Sequence, residues 1–234
     1  MRAPTLVFLH ECLGCIELWR DFPERISAKT GCGAVVYSRY GSGRSDPLQE
    51  PRTDTYLHTE ALETLPDVLE QLDVTDPLLI GHSDGATIAL MYAGSGRWPV
   101  RGLVAMAPHV FVEDVTIAGI EHRKADFVAS AMTARLGRYH TDPVSTFNGW
   151  CDTWLKPSFR NWNIEAYVAG ITCPVLLIQG HDDEYATMAQ LDAIERAVSG
   201  PTTRVELTDC GHVPFRDHPE AVIDAICDFI DKLT

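Results

Sequence analysis

The run Leu79-Ile80-Gly81-His82-Ser83-Asp84-Gly85 constrains the fold of this chain more than any other segment. An apolar stretch ends there in Gly-x-Ser-x-Gly and passes at once into the helix-forming string Ala86-Thr87-Ile88-Ala89-Leu90-Met91. A buried strand that turns so abruptly into a helix leaves no room for side chains at the two glycines and holds the serine hydroxyl out above the sheet edge, as in a nucleophile elbow. The backbone N–H of Asp84, in the first turn of the helix, is then free to face a developing oxyanion. Taken alone the pattern also fits an ordinary Gly/Ser turn, so its meaning depends on the residues downstream of it.

A serine hydroxyl is a poor nucleophile at neutral pH. It needs a histidine to take its proton and a carboxylate to orient that histidine. Downstream the chain offers Gly180-His181-Asp182-Asp183-Glu184 after the apolar run 174–178, then Asp209-Cys210-Gly211-His212 after 203–207. Short branched apolar runs at 5–10, 34–39, 78–81, 102–107, 175–180 and 203–207 read as strands buried on both faces. Helical patterns lie between them at 19–29, 55–72, 86–93, 188–198 and 220–232. Six strands alternating with helices predict an α/β, doubly wound, mostly parallel six-stranded sheet with right-handed crossovers. Ser83, the acid and His212 each follow a strand-like run, which puts all three at the carboxyl edge of that sheet, where open α/β sheets build their sites.

Four segments, in order, make the chain resemble the α/β-hydrolase superfamily along nearly its whole length. Beside the elbow, Phe8-Leu9-His10-Glu11-Cys12-Leu13-Gly14 is similar to the oxyanion-loop segment of that family, and Arg39-Tyr40-Gly41-Ser42-Gly43-Arg44-Ser45-Asp46 to its Arg-x-Gly-x-Gly-x-Ser turn. Gly180 to Asp183 matches Gly-x-x-Asp, and Asp209 to His212 matches the segment that bears the family's histidine. The resemblance implies a triad of Ser83, Asp183 and His212, with the N–H groups of Asp84 and of Cys12 or Leu13 as the oxyanion hole. It further implies a hydrolase of small carboxylic esters, lactones or related acyl compounds, working through an acyl-enzyme with no cofactor and no metal. A C–C bond hydrolase or lyase-type synthase of the same fold, and a non-catalytic ligand receptor that keeps the triad, stand as alternatives. A dehalogenase or epoxide hydrolase is disfavoured, because those use Asp where Ser83 stands.

Two departures from the family pattern are visible. The family commonly carries an antiparallel hairpin before the oxyanion strand, yet only four residues precede it here, so the hairpin is expected to be missing and the strand at 34–39 to form a sheet edge. A minimal natural fold and a shortened chain explain this equally. Between Pro108 and Cys173, the chain lacks strand character and carries helical stretches such as 117–136, far more than a plain crossover needs. Residues 109–170 therefore read as a helical cap inserted in a single domain spanning 1–234. Trp150, Trp154 and Trp162 lie in it, and either line an apolar substrate pocket or anchor the cap to the core.

His10 and His82 read as structural, holding loops, whereas His109 follows a central strand and is a candidate pocket residue. Asp182 competes with Asp183 as the acid, and Glu113, Glu121 and Asp126 read as a solvated face. Cys12-Leu13-Gly14-Cys15 has the C-x-x-C form, but a zinc site wants a second pair that the sequence does not offer. Family members commonly have glycine where Cys12 stands, which brings a side chain to the oxyanion loop.

Composition narrows the partners. The chain of 234 residues is 45% hydrophobic and has a net charge of −14 with no Lys/Arg cluster, which argues against nucleic acid. No apolar run approaches the roughly 18 residues of a membrane span, and Met1-Arg2-Ala3-Pro4 leads straight into a strand rather than a signal peptide. With seven scattered cysteines read as reduced thiols, a cytoplasmic location is expected. The partner is a small-molecule acyl substrate, and oligomeric state is not legible.

Overall fold

The computed structural model describes residues 3–129 and 131–233, so Met1 and Arg2 of the expected leaderless start lie outside the described residues. Its sheet is six-stranded and parallel throughout, in the order β2-β1-β3-β4-β5-β6. The strands are β1 (Thr5–Leu9), β2 (Ala34–Val36), β3 (Pro77–His82), β4 (Gly102–Met106), β5 (Val175–Gly180) and β6 (Thr202–Leu207). All residues of β3, β4 and β5 are buried, as strands covered by helices on both faces must be.

Alternation along the strands splits the core into two layers. Leu6 and Phe8 of β1 pack on one side with α1 (Phe22–Thr30) and with α11 (Pro219–Asp231), which follows the one-turn α10 (Pro214–Asp217). Val7 and Leu9 face the other side, with α4 (Asp84–Gly94), α9 (Ala189–Ala197) and the helices at 56–71. β2 is the sheet edge, as the sequence implied, but ends at Val36, three residues short of the expected span.

Two expected helices are broken for local reasons. The stretch 19–29 divides into a 3-10 turn (Ile16–Trp19) and α1, because Arg20 adopts φ 53° between them. The stretch 55–72 is α2 (Tyr56–Thr59), a π turn (Glu60–Thr64) and α3 (Leu65–Gln71). Pro66 has no N–H to offer the carbonyl one turn back, and the helix widens just before it.

Between β4 and β5 the chain forms α5 (Asp114–Ala129), α6 (Met132–Leu136), α7 (Pro143–Trp154), a 3-10 turn (Pro157–Asn161) and α8 (Glu165–Val168). The insertion is not wholly free of extended structure. Phe111 pairs antiparallel with Asn163, and Ile164 N–H donates to the Val110 carbonyl at 2.8 Å, which brings its two ends together. No helix among the described residues is long and apolar enough to cross a membrane.

Candidate active site

Ser83 sits between β3 and α4 with φ 52° and ψ −118°, a conformation that β-carbon-bearing residues adopt only when their surroundings enforce it. The enforcement is steric. A Cβ on Gly85 would fall onto the Leu9 carbonyl, and one on Gly81 onto the backbone of Gly85 and Ala86, so β1, β3 and α4 close around the turn only with glycine at both places. Ser83 N–H donates to the Met106 carbonyl at 2.9 Å, which fixes the turn to the next strand.

The hydroxyl so presented meets His212. Ser83 Oγ lies 2.9 Å from His212 Nε2, and His212 Nδ1 lies 2.9 Å from each carboxylate oxygen of Asp183. With Nδ1–H donating to Asp183, Nε2 is left as the acceptor facing the serine. Asp183 is held in turn by the N–H groups of Tyr185 (2.8 Å) and Ala186 (3.2 Å), and Gln179 Nε2 lies 3.4 Å away. Asp182, the competing acid, is exposed. Burial of the His212 ring pulls its pKa down, but the Asp183 charge and hydrogen bond, helped by the Glu184 and Glu11 carboxylates, outweigh burial and set it above the ordinary value. Burial raises the Asp183 carboxyl, His212 lowers it, and the net direction is down.

The neighbouring histidines are anchors. His10 Nδ1–H donates to the Glu11 carbonyl at 2.6 Å and Nε2 accepts the Arg39 N–H at 2.9 Å. His82 Nε2 contacts the His212 carbonyl at 2.7 Å. Burial pushes His82 down to about 3 and His109 down to about 4, so neither carries a charge beside His212 at neutral pH.

On the oxyanion side the structure corrects the expectation for Leu13. Its N–H donates to Glu11 Oε2 at 2.6 Å and is therefore already occupied. The glutamate, standing one residue after the loop histidine, folds back on its own loop, and the Cys12 thiol also donates to Oε2, at 3.1 Å. Burial, with Glu11 adding to it, holds Cys12 well above the ordinary thiol range, which makes it a poor nucleophile or redox group. The seven cysteines are unbridged among the described residues. The N–H groups of Cys12 and Asp84 carry no such side-chain acceptor among the described residues.

A cavity of about 440 Å³ opens over Ser83 and His212. His109, Trp150 and Trp154 line it, with Ile120 and Met132 from the insertion. Trp162 does not, against expectation: it stacks on Phe159 (5.4 Å, 10° between planes) behind Trp154 and serves as an anchor. Glu113 is a further correction. It is half-buried and accepts from Thr187 N–H (3.0 Å), Thr187 Oγ1 (2.6 Å) and Gln190 Nε2 (2.7 Å), tying the insertion to the loop after β5. Glu121 is exposed, as a solvated face requires, and Asp126 half-buried. Among the described residues no group of three His, Cys, Asp or Glu side chains is arranged to hold a metal ion.

The sequence of residues 6–225 matches the model of the alpha/beta hydrolase family. The chain belongs to that family. It is 23% identical over 257 residues to a 2-hydroxy-6-oxononadienedioate/2-hydroxy-6-oxononatrienedioate hydrolase of Cupriavidus pinatubonensis, covering 97% of this chain and 87% of the relative. In structure it superposes on the enol-lactonase from Burkholderia xenovorans (TM-score 0.76, 19% identity, 99% of this chain and 92% of that one). It also superposes on a thermophilic esterase from Thermogutta terrifontis (TM-score 0.76, 16% identity, 98% and 90%). Membership of the alpha/beta hydrolases supports hydrolase activity, and these structural likenesses bear on the fold alone.

Sequence reading misses several residues that the fold gathers round this alpha/beta hydrolase site. Glu184 Oε2 accepts the His212 N–H at 3.2 Å, and the Tyr185 ring meets the His212 ring edge-on at 4.8 Å. His140, from the insertion, accepts the Gly43 N–H on Nδ1 and donates from Nε2 to the Leu13 carbonyl, both at 2.9 Å, so it pins the oxyanion loop from above. Adjacency to Asp183 is the one available signal for Glu184 and Tyr185, and nothing local marks His140.

Proposed function

We propose that this alpha/beta hydrolase is a serine hydrolase cleaving a small carboxylic ester, lactone or related acyl compound through an acyl-enzyme on Ser83. The observation that carries the reading is the unbroken contact from Ser83 Oγ to His212 Nε2, and from Nδ1 to Asp183, each at 2.9 Å. In the first half-reaction His212 takes the proton of Ser83 while Oγ adds to the acyl carbon, and the N–H groups of Asp84 and Cys12 receive the charge that builds on the acyl oxygen. The imidazolium, stabilised by Asp183, gives its proton to the departing oxygen. In the second half a water, deprotonated by His212, releases the acid and restores Ser83. Residues 109–170 act as the cap of one domain, and the wall formed by Trp150 and Trp154 takes the acyl portion in a space of about 440 Å³, suited to a small substrate.

A C–C bond hydrolase is the second reading. It is favoured by likeness over 97% of the chain, at 23% identity, to the 2-hydroxy-6-oxononadienedioate/2-hydroxy-6-oxononatrienedioate hydrolase. The deciding experiment is a panel of p-nitrophenyl esters of rising acyl length run beside an enol-lactone, a vinylogous diketone and an acyl thioester. Multiple turnovers of an ester or lactone, lost in Ser83→Ala, are expected. Turnover of the diketone alone selects the second reading, and single-turnover binding with a cap rearrangement selects a receptor.

A further inference from the structure

The oxyanion hole of this protein has a problem of charge and a problem of aim. Asp84 offers its N–H to the oxyanion but carries a carboxylate on the same residue, 2% exposed, and a negative charge so near opposes the formation of another. Cys12 offers its N–H from a loop in which glutamate already occupies the next one. Both problems lead to Arg39, a side chain with no exposed surface and no part in the proton transfers of the triad.

Arg39 Nη2 donates to the Glu11 carbonyl at 3.1 Å and lies 3.5 Å from Asp84 Oδ2. Glu11 C=O and Cys12 N–H belong to one peptide group. In a planar trans peptide those two bonds point in opposite directions, so whatever holds the carbonyl aims the N–H. The carbonyl is held twice, by Arg39 from the turn after β2 and by Nδ1–H of the adjoining His10. Charge is balanced in the same place: Arg39 Nη1 lies 3.9 Å from Glu60 Oε1, itself 3.9 Å from Arg52 Nη1, so two guanidiniums meet two carboxylates. Glu60 reaches inward from the π turn ahead of Pro66. Asp84 Oδ2 also accepts from Tyr56 OH at 2.8 Å, whose oxygen accepts from Trp154 Nε1 at 2.8 Å, on the cavity wall.

We propose that Arg39 is a positioning residue that ties the oxyanion loop to the elbow, holding the Glu11 carbonyl and the Asp84 carboxylate on one nitrogen so that the Cys12 and Asp84 N–H groups face one oxygen. Tyr56 extends the tie to Trp154 and so to the wall that contacts substrate. The inference rests on the serine-hydrolase reading, and goes beyond it in assigning a role to a residue that touches neither substrate nor the reacting atoms.

The test combines steady-state kinetics on an ester the wild type hydrolyses, the rate of Ser83 labelling by a fluorophosphonate, and inhibition by an aryl boronic acid that forms a tetrahedral adduct. Arg39→Met is expected to lower kcat about 10²-fold, the scale of losing one oxyanion donor, with KM within about threefold of wild type. Labelling slows and boronate affinity falls by a similar factor, while the pH midpoint of the rate stays in place because His212 and Asp183 are untouched. Arg39→Met with Asp84→Asn removes one charge of each sign. A double variant that stays within about threefold of the single one supports the tie, and recovery to near wild type overturns it in favour of charge balance alone.

Should Arg39→Met fail to fold, Arg39→Lys, checked by thermal melting, decides: a loss of about tenfold in kcat at constant KM supports the role, and a rise in KM alone overturns it. Wild-type protein that is not labelled at Ser83 refutes the underlying serine-hydrolase reading. Wild type that labels while Arg39→Met labels as fast refutes the tie only.

Discussion

Ser83 stands between two buried charged assemblies that are built from similar parts and differ in what they can do with a proton. On one side Asp183 and His212 are joined through Nδ1, and His212, raised above its ordinary pKa with that carboxylate as the largest favourable cause, can take up and give back a proton. On the other side Arg39 faces Asp84 and Glu60, and a guanidinium keeps its proton throughout the working range of an enzyme. In the proposed reaction the first assembly moves a proton to and from Ser83. The second holds backbone. The site thus separates a mobile charge from a fixed one, and the two are open to different perturbations.

The largest expected effect breaks the mobile side. Ser83→Ala should lower kcat about 10³-fold or more with the fold intact, and Asp183→Asn should cost about as much by leaving His212 without a partner for the correct tautomer. Retention of more than about a tenth of wild-type activity in Ser83→Ala would sink the nucleophile assignment. Circular dichroism and melting of both variants check that the loss is chemical. The comparison predicts that these losses exceed the roughly 10²-fold expected for Arg39→Met, because removing a nucleophile or its orienting acid is worse than loosening a donor.

A smaller effect separates the two sides by pH. His212 must be neutral to accept the Ser83 proton, so kcat/KM should rise with pH through a midpoint above 6.5. Arg39→Lys should leave that midpoint alone, and Asp183→Asn should move it down, since burial is then opposed only by the weaker fields of Glu184 and Glu11. Stability follows the same groups with opposite signs. His212, raised in the fold, contributes stability that is complete below pH 6.5 and is lost as pH rises through its folded value. Asp183, lowered from 3.8, contributes stability above that value that is lost on acidification. His82 and His109 are depressed to about 3 and 4, so the unfolded chain takes up protons that the fold refuses, and melting temperature should fall as pH drops from 6.5 toward 4. A midpoint below 6.5 in the wild-type rate profile would show that Asp183 does not hold the imidazole.

The two sides also differ in how far sequence reveals them. Ser83, Asp183 and His212 are each marked by a local turn after a strand, and their order along the chain supplies the rest. Arg39 is visible in sequence only as the first residue of a glycine-rich turn. Its partners are scattered at Glu11, Glu60 and Asp84, and no periodicity joins them. Leu13 is misplaced by sequence because nothing in the string His-Glu-Cys-Leu-Gly shows a side chain folding back on its own loop. Trp162 and Glu113 are misplaced for a related reason: an aromatic or acidic residue in an insertion has no fixed face until the helices dock. The strands and main helices are legible because apolar runs and helical apolar periodicity are local signals. The break at the π turn traces to Pro66, which a periodicity of apolar residues does not register.

The smallest effect tests where the fixed side ends. Trp150 and Trp154 both line the cavity, but only Trp154 donates to Tyr56 and so joins the chain through Asp84 to Arg39. Trp154 also packs against Phe159 at 5.0 Å and Trp162 at 5.6 Å, so its removal opens a hole in a buried aromatic cluster. Trp154→Ala should therefore cost about 3–5 kcal/mol of stability, the usual range for a large buried aromatic, and lower kcat besides. Trp150 meets Phe147 and Tyr185 edge-on, at 5.8 and 6.2 Å, and no hydrogen bond ties it to the elbow. Trp150→Ala should shift the preferred acyl length in the ester panel and change kcat on the best substrate by only a few fold, because the space it vacates is substrate space. Trp154→Phe isolates the link, since it keeps most of the packing and deletes the indole N–H; if the fixed side reaches the cavity wall, kcat falls severalfold at constant KM. An unchanged kcat would end the fixed side at Tyr56 and leave Trp154 a packing residue.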